Sequence, residues 1–304
     1  MPFSQFCGWV NDPVAVNKVS QAQPHPTWAS AASMYGTQGL GAGKRTLLYP
    51  MLYKALGGKA NYVPRLQTIG DCVSHGAANA VDILRAIQTA TGKGQWLAET
   101  ASEVIYALSR VEIGHGQLGS GDGSVGAWAA EACRTYGTLL RQVYGKYDLT
   151  KYDGNRAKSW GMPNAGLPND LEPAAHEHLV RSVTLVKTWE DLCDAIAAGY
   201  PVTVASNQGF TSTRDSEGFA GPSGTWGHQM VFWAADDLSP RKGALIENSW
   251  GSNWITGPTT YDQPPGSFWA DKSVVEHMLA MQDSWAYSDY EGFPPKQLDL
   301  GDIF

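Results

Sequence analysis

No apolar run in this 304-residue chain reaches the roughly 18 residues that a bilayer-spanning helix needs. The start, MPFSQFCGWVNDP, has neither a basic region nor an apolar stretch of the secretory kind, so the chain is expected to be unexported and cytoplasmic. Cysteines are scarce. Cys7, Cys72, Cys133 and Cys193 stand far apart with no CxxC pair, which argues against a zinc site and against a disulfide-stapled scaffold. HExxH is absent, and His176 and His178 in AAHEHLV are too few to hold a metal, so no metal or other cofactor is expected. Blocks of like charge are also missing. The net charge of −7 offers no basic footprint for nucleic acid or an anionic membrane, and neither is expected as a partner.

What the chain does have is apolar material, 43% of its residues, enough for one large domain or two lobes. Residues 1–60 are rich in Gly, Ser, Ala and Pro and read as an N-terminal extension. Within them RTLLYPMLYKALGG is a short helix that Pro50 interrupts and Gly57 and Gly58 end. From Val73 the apolar set Val73, Gly76, Ala77, Ala80, Val81, Leu84 and Ile87 keeps helical spacing for four turns. Further helical patterns cover 97–111 and 125–136, the second holding Cys133. Trp189, Leu192, Cys193, Ile196 and Ala197 mark one more buried helix face.

After a turn-rich passage at 162–173 the texture becomes short β-type runs at 182–186, 201–206, 228–235, 243–250 and 266–270. Helices first and strands second predict an α+β fold: a helical lobe at 61–165, a β-rich lobe at 166–290, and a loosely docked tail at 291–304. Asp236-Asp237 reads as a turn.

The chemistry gathers at three places. In QTIGDCVSHG, Cys72 opens the long helix, where unpaired backbone N–H groups and the helix dipole favour thiolate. A cysteine nucleophile needs a base, and the base needs a group that holds its ring. His228 opens one β-type run and Asn248 follows the next, 20 positions on, so adjacent antiparallel strands bring amide and imidazole together. His75, three positions after Cys72, reads as a polar helix residue that contacts neighbouring structure.

Gln67 with Cys72, Gly227-His228 before an apolar strand, and Asn248-Ser249-Trp250-Gly251 followed by Trp254 resemble the motifs of the papain-like cysteine peptidases, closest in texture to bacterial or phage members. GDGSVGAWAAEACRTYGT (121–138) is similar to that family's glycine-rich substrate loop and following helix. AAGYPVTVASNQGF (197–210) is similar to its first barrel strands. The resemblance implies a two-lobed fold, with an antiparallel β-barrel-like lobe carrying the His and Asn strands. It makes Cys72 the nucleophile, His228 the base and acid, Asn248 the residue orienting the imidazole, and Gln67 an oxyanion donor. Trp250 would cover the Asn–His hydrogen bond at the substrate site, and Gly121 and Gly123 would let a peptide backbone approach.

The implied activity is hydrolysis of peptides or proteins through a thioester. The alternatives are a structural or binding module on the same fold, for example in a phage particle and then virion-associated, and an acyltransferase. The sequence departs from the family pattern in several places. Gln67 stands five positions before Cys72 rather than six, which asks Gly70 to make a tight turn. Val73 replaces an aromatic residue, Gln229 replaces an alanine, and residues 255–265 form a surface insertion. No helical pro-segment is evident before residue 60, so latency by a long prodomain is not expected.

Overall fold

The computed structural model describes residues 6–178 and 180–298. Residues 1–5 of the extension and 299–304 of the tail lie outside the described residues. In chain order the elements begin with α1 (Pro13–Ala22), α2 (Trp28–Tyr35), β1 (Arg45–Leu47) and α3 (Tyr49–Leu56). The helical layer continues with α4 (Cys72–Ala90), α5 (Ser102–Leu108) and α6 (Gly126–Thr135), then the small hairpin β2 (Val143–Tyr144) and β3 (Tyr147–Asp148), then α7 (Gly154–Trp160) and α8 (Glu172–His176). The sheet follows as β4 (Ser182–Leu185), α9 (Trp189–Ala197), β5 (Val202–Arg214), β6 (Ala220–Asp236), β7 (Gly243–Glu247), β8 (Phe268–Asp271), α10 (Lys272–Leu279) and β9 (Asp283–Ser288).

The larger sheet is antiparallel, in the order β4-β9-β5-β6-β7-β8. β5 leaves β6 at Phe232, and β1 continues that edge by pairing with Ala234–Asp236. β6 is longer than its apolar run because Gly221, Ser223 and Gly224 look like loop residues; they instead form the exposed end of a hairpin with shifted register. Backbone pairing holds such a segment in the sheet without apolar burial.

α4 is buried along nearly its whole length, from Cys72 to Ile87, including its polar residues Ser74, His75, Asn79 and Asp82. Such a helix belongs between layers rather than on a surface. It meets β6 where Gly76 lies against the Gln229 side chain and the Met230 carbonyl; a Cβ there would stand 3.1–3.2 Å from them. α4 thus carries Cys72 to the middle of β6, at Gln229, the residue after His228.

Three expectations change. Pro50 does not interrupt a helix but sits in the first turn of α3, where a missing N–H costs nothing, and the residues before it form β1. The segment before residue 60 is built into the molecule: Trp28 and Leu48 are fully buried, and Arg45 bonds Asp236, whose other carboxylate oxygen caps the following turn. The tail is anchored as far as residue 298. Phe293 is fully buried, edge-on to Trp28 and Tyr200, and Lys296 pairs with Asp289. The 255–265 segment, expected as a surface insertion, is largely exposed and is tied down at Asp262, whose carbonyl accepts from the Tyr53 hydroxyl, and at Tyr261, whose ring centre lies 4.0 Å from Arg45.

Candidate active site

Asn248 comes one residue after β7. Glu247 pairs with Val231, so continuing the register sets Asn248 across from Met230, on the face that His228 shares two residues away. That diagonal lies within reach of two side chains. His228 Nε2 and Asn248 Oδ1 are 2.8 Å apart, which makes Nε2 the donor, since an amide oxygen can only accept. The other ring nitrogen, Nδ1, is buried without a hydrogen-bond partner among the described residues.

Indoles close over the pair. The Trp250 ring lies 4.6 Å from the imidazole, and Trp226 (tilted) and Trp254 (edge-on) pack against Trp250 at 4.7 and 5.3 Å. Removing water in this way strengthens the polar contact beneath.

Cys72 is the first residue of α4, after an N-cap Asp71 that makes no side-chain cap. Its sulfur lies near the backbone N–H groups of Gln229, the residue after His228, and of Gly8. Gln67 is held from the other lobe: its N–H donates to the Ser249 carbonyl at 2.9 Å, and its Oε1 accepts from the Ser249 hydroxyl. These bonds fix the amide so that Nε2 must donate elsewhere. It donates to the Phe6 carbonyl at 2.7 Å and the Ile69 carbonyl at 2.9 Å. The loop from Gln67 to Cys72 places Gly70 for close approach rather than for a special backbone angle. Gly70 does not have a positive φ, and a Cβ on it would stand 2.9 Å from Asp122 and 3.1 Å from the Cys7 carbonyl.

Phe6 to Val10 therefore lies in the cleft as a strap. Trp9 N–H donates to the Gly227 carbonyl on the β side at 2.8 Å; Val10 N–H donates to the Ser124 carbonyl, and Ser124 N–H to the Gly8 carbonyl, on the helical side. The strap runs parallel to the chain at Ser124. Gly123, with φ +112°, admits it: a Cβ there would lie 2.6 Å from the Gly8 carbonyl, whereas Gly121 faces open space. Arg110, which sequence reasoning missed, braces this loop from beneath by donating to the carbonyls of Gly119 and Gly123. The strap was missed as well. FCGWV is too short for periodicity, and its pairing is entirely with distant residues.

Under the strap Cys72, His228 and Gln67 are all fully buried. Burial pushes the Cys72 thiol up to about 12, against the smaller pull of the Gln229 and Gly8 N–H groups. It pushes His228 down to about 4, the Asn248 bond opposing and nearby His75 assisting. The helix N-terminus was expected to favour thiolate. In this closed cleft lost hydration outweighs it, and both groups are neutral. His75 itself faces Asp71 Oδ2 at 3.3 Å and stacks edge-on against Tyr152, whose hydroxyl donates to the same carboxylate.

All four cysteines are free, and among the described residues no group of three or more His, Cys, Asp or Glu side chains could hold a metal. No helix among the described residues is long and apolar enough to cross a membrane.

No protein-family model and no curated protein matches the chain. Among solved structures it is similar to xylellain, a cysteine protease from Xylella fastidiosa, at 16% identity and a TM-score of 0.61, over 94% of this chain and 97% of that one. It is also similar to procathepsin B S9 from Trypanosoma congolense, at 11% identity and a TM-score of 0.49, over 83% of this chain and 77% of that one.

Proposed function

From the papain-like, two-lobed α+β fold that the chain has, we propose that it is a cysteine peptidase and that the conformation described is its closed form. The observation that carries this reading is the oriented imidazole, Nε2 bonded to Asn248 and Nδ1 without a hydrogen-bond partner among the described residues, one residue before the Gln229 backbone that Cys72, the first residue of α4, lies against. With the strap displaced, Cys72 and His228 regain water, and the thiolate–imidazolium pair becomes accessible to both. Thiolate attack on a peptide carbonyl forms the thioester; His228 passes its proton to the leaving amine and then takes one from the water that hydrolyses the thioester. Gln67 Nε2 and the Cys72 N–H would receive the oxyanion; the bond from Gln67 Nε2 to the Phe6 carbonyl supports this reading, since that amide already donates to an oxygen of the strap. Peptides or proteins are the proposed substrates and the cytoplasm the proposed compartment.

A filled cleft also favours a second reading, a papain fold used as a binding module, since no substrate reaches Cys72 while the strap is seated. Opening the cleft by substitution separates the two. A peptidase then hydrolyses peptides and loses that activity in Cys72→Ala with its fold intact. A module gains a reactive Cys72 and no turnover, and that result would sink the peptidase reading; transfer to an added amine in place of hydrolysis would point to an acyltransferase.

A further inference from the structure

The strap is tied by its backbone to both walls of the cleft, so the side chain of Trp9 enters whatever pocket lies beside them. That pocket ends in a carboxylate. Trp9 Nε1 donates to Asp283 Oδ2 at 2.8 Å, and Asp283, the first residue of β9, is fully buried. The rest of the molecule holds the carboxylate in place: Trp285 Nε1 donates to Oδ1 at 2.7 Å and the Gly126 N–H, at the start of α6, to Oδ2 at 2.9 Å. Gly126 leaves it room, since a Cβ there would stand 2.7 Å from both carboxylate oxygens and 2.6 Å from Gln229 Oε1. That amide oxygen is a second buried acceptor, with no hydrogen-bond partner among the described residues.

A buried acceptor is expensive to leave without a donor, more so when it is a carboxylate. When the strap leaves, Asp283 keeps the bonds from Trp285 and Gly126 and loses only the one from Trp9. The vacated slot then has an indole's shape and an acceptor at its end.

We infer that Asp283 sets specificity in the proposed peptidase, selecting peptides that present a tryptophan to this slot so that its indole N–H replaces that of Trp9. The inference deepens the peptidase reading, in which this cleft receives peptides. A side chain of the same size without the N–H fills the slot and leaves the carboxylate short of a donor, and that difference is the selection.

The test uses the full chain with Gly8→Ala, which unseats the strap, and Cys72→Ala, which prevents turnover. Binding of short capped peptides is measured by fluorescence anisotropy, with tryptophan or 2-naphthylalanine at each position in turn. At one position tryptophan should bind at least tenfold tighter than naphthylalanine. Asp283→Leu should erase the ratio, and Asp283→Asn, which keeps an acceptor, should preserve most of it. Equal binding of the two peptides at every position overturns the inference even if Asp283→Leu fails to fold, and so does a ratio that survives in a folded Asp283→Leu. Because binding is read without chemistry, failure of the peptidase reading shows separately, as absence of hydrolysis when Cys72 is restored.

Discussion

Gly8→Ala is the sharpest perturbation of the closed cleft. A Cβ on Gly8 would lie 1.8 Å from the Gly70 carbonyl oxygen and 2.5 Å from its carbon. Both are backbone atoms and cannot swing aside, so the strap cannot seat. What is lost follows from its contacts. Five hydrogen bonds (to Gly227, two with Ser124, to Asp283 and from Gln67) contribute roughly 5 kcal/mol at about 1 each. Burying the Trp9 ring adds about 3 kcal/mol. Ordering the five residues Phe6 to Val10 opposes this by roughly 5 kcal/mol at about 1 each. The balance, about 3 kcal/mol, means that the cleft is open on the order of 1% of the time or less. Alkylation of Cys72 by iodoacetamide, followed by peptide mapping so that half-buried Cys7 is scored separately, should therefore run roughly 100-fold faster in Gly8→Ala than in the unaltered chain. Cys133 and Cys193 serve as internal controls, and their labelling should not change. A rise below about threefold in Cys72 labelling, in a variant that remains folded by circular dichroism and keeps a cooperative melt, would refute the idea that the strap closes the site.

The remaining predictions use the Gly8→Ala chain wherever activity is read. His228→Ala should abolish peptide hydrolysis, while Asn248→Ala should leave a measurable rate because the imidazole remains; equal loss in two folded variants would contradict the division of roles. Gln67→Ala should lower kcat by ~10²–10³ with alkylation of Cys72 nearly unchanged, since alkylation builds no oxyanion, and a loss below about threefold would remove Gln67 from the hole. For the closed chain, stability should fall with acid. His228 titrates at about 4 folded against an ordinary 6.5, so between those values the unfolded chain binds the extra proton, and about 3 kcal/mol present above pH 6.5 is lost as pH falls to 4. Urea midpoints at pH 7 and pH 4 should therefore drop more for the parent than for His228→Gln, and an equal drop would show that His228 is not buried neutral.

The sequence made the helix that Cys72 opens and the strands near His228 and Asn248 legible for a shared reason: each sits in a run whose periodicity is set by burial. Val73 to Ile87 and the run 228–235 face the core, so their spacing records their environment. Asp283 begins a strand that was not expected, because DSWAYS mixes polar and aromatic residues, and all six are buried. A strand buried on both faces has no alternation to detect. The strap is invisible for another reason. Its glycine is there because of Gly70 and its tryptophan because of Asp283, residues 62 and 274 positions away by number (70 − 8 and 283 − 9), and local composition carries no trace of such pairing. Pro50 misled in the opposite way: its restriction is local, but whether it breaks or begins a helix depends on β1 ending just before it.

Closure acts on the chemistry as well as on access. The Gly8 N–H near the Cys72 sulfur would on its own favour thiolate; yet the thiol is pushed up, because burial of the sulfur outweighs it, and the imidazole is buried as well. Desolvation penalises the charged form of each, and forming the pair requires both charges at once, so the penalties fall on one event. Strap release therefore has to do two things: it vacates the slot at Asp283, and it rehydrates Cys72 and His228. The Asn248 bond lies beneath Trp250 and involves no residue of the strap, so the imidazole is already oriented while the cleft is closed, and strap release need not build that bond.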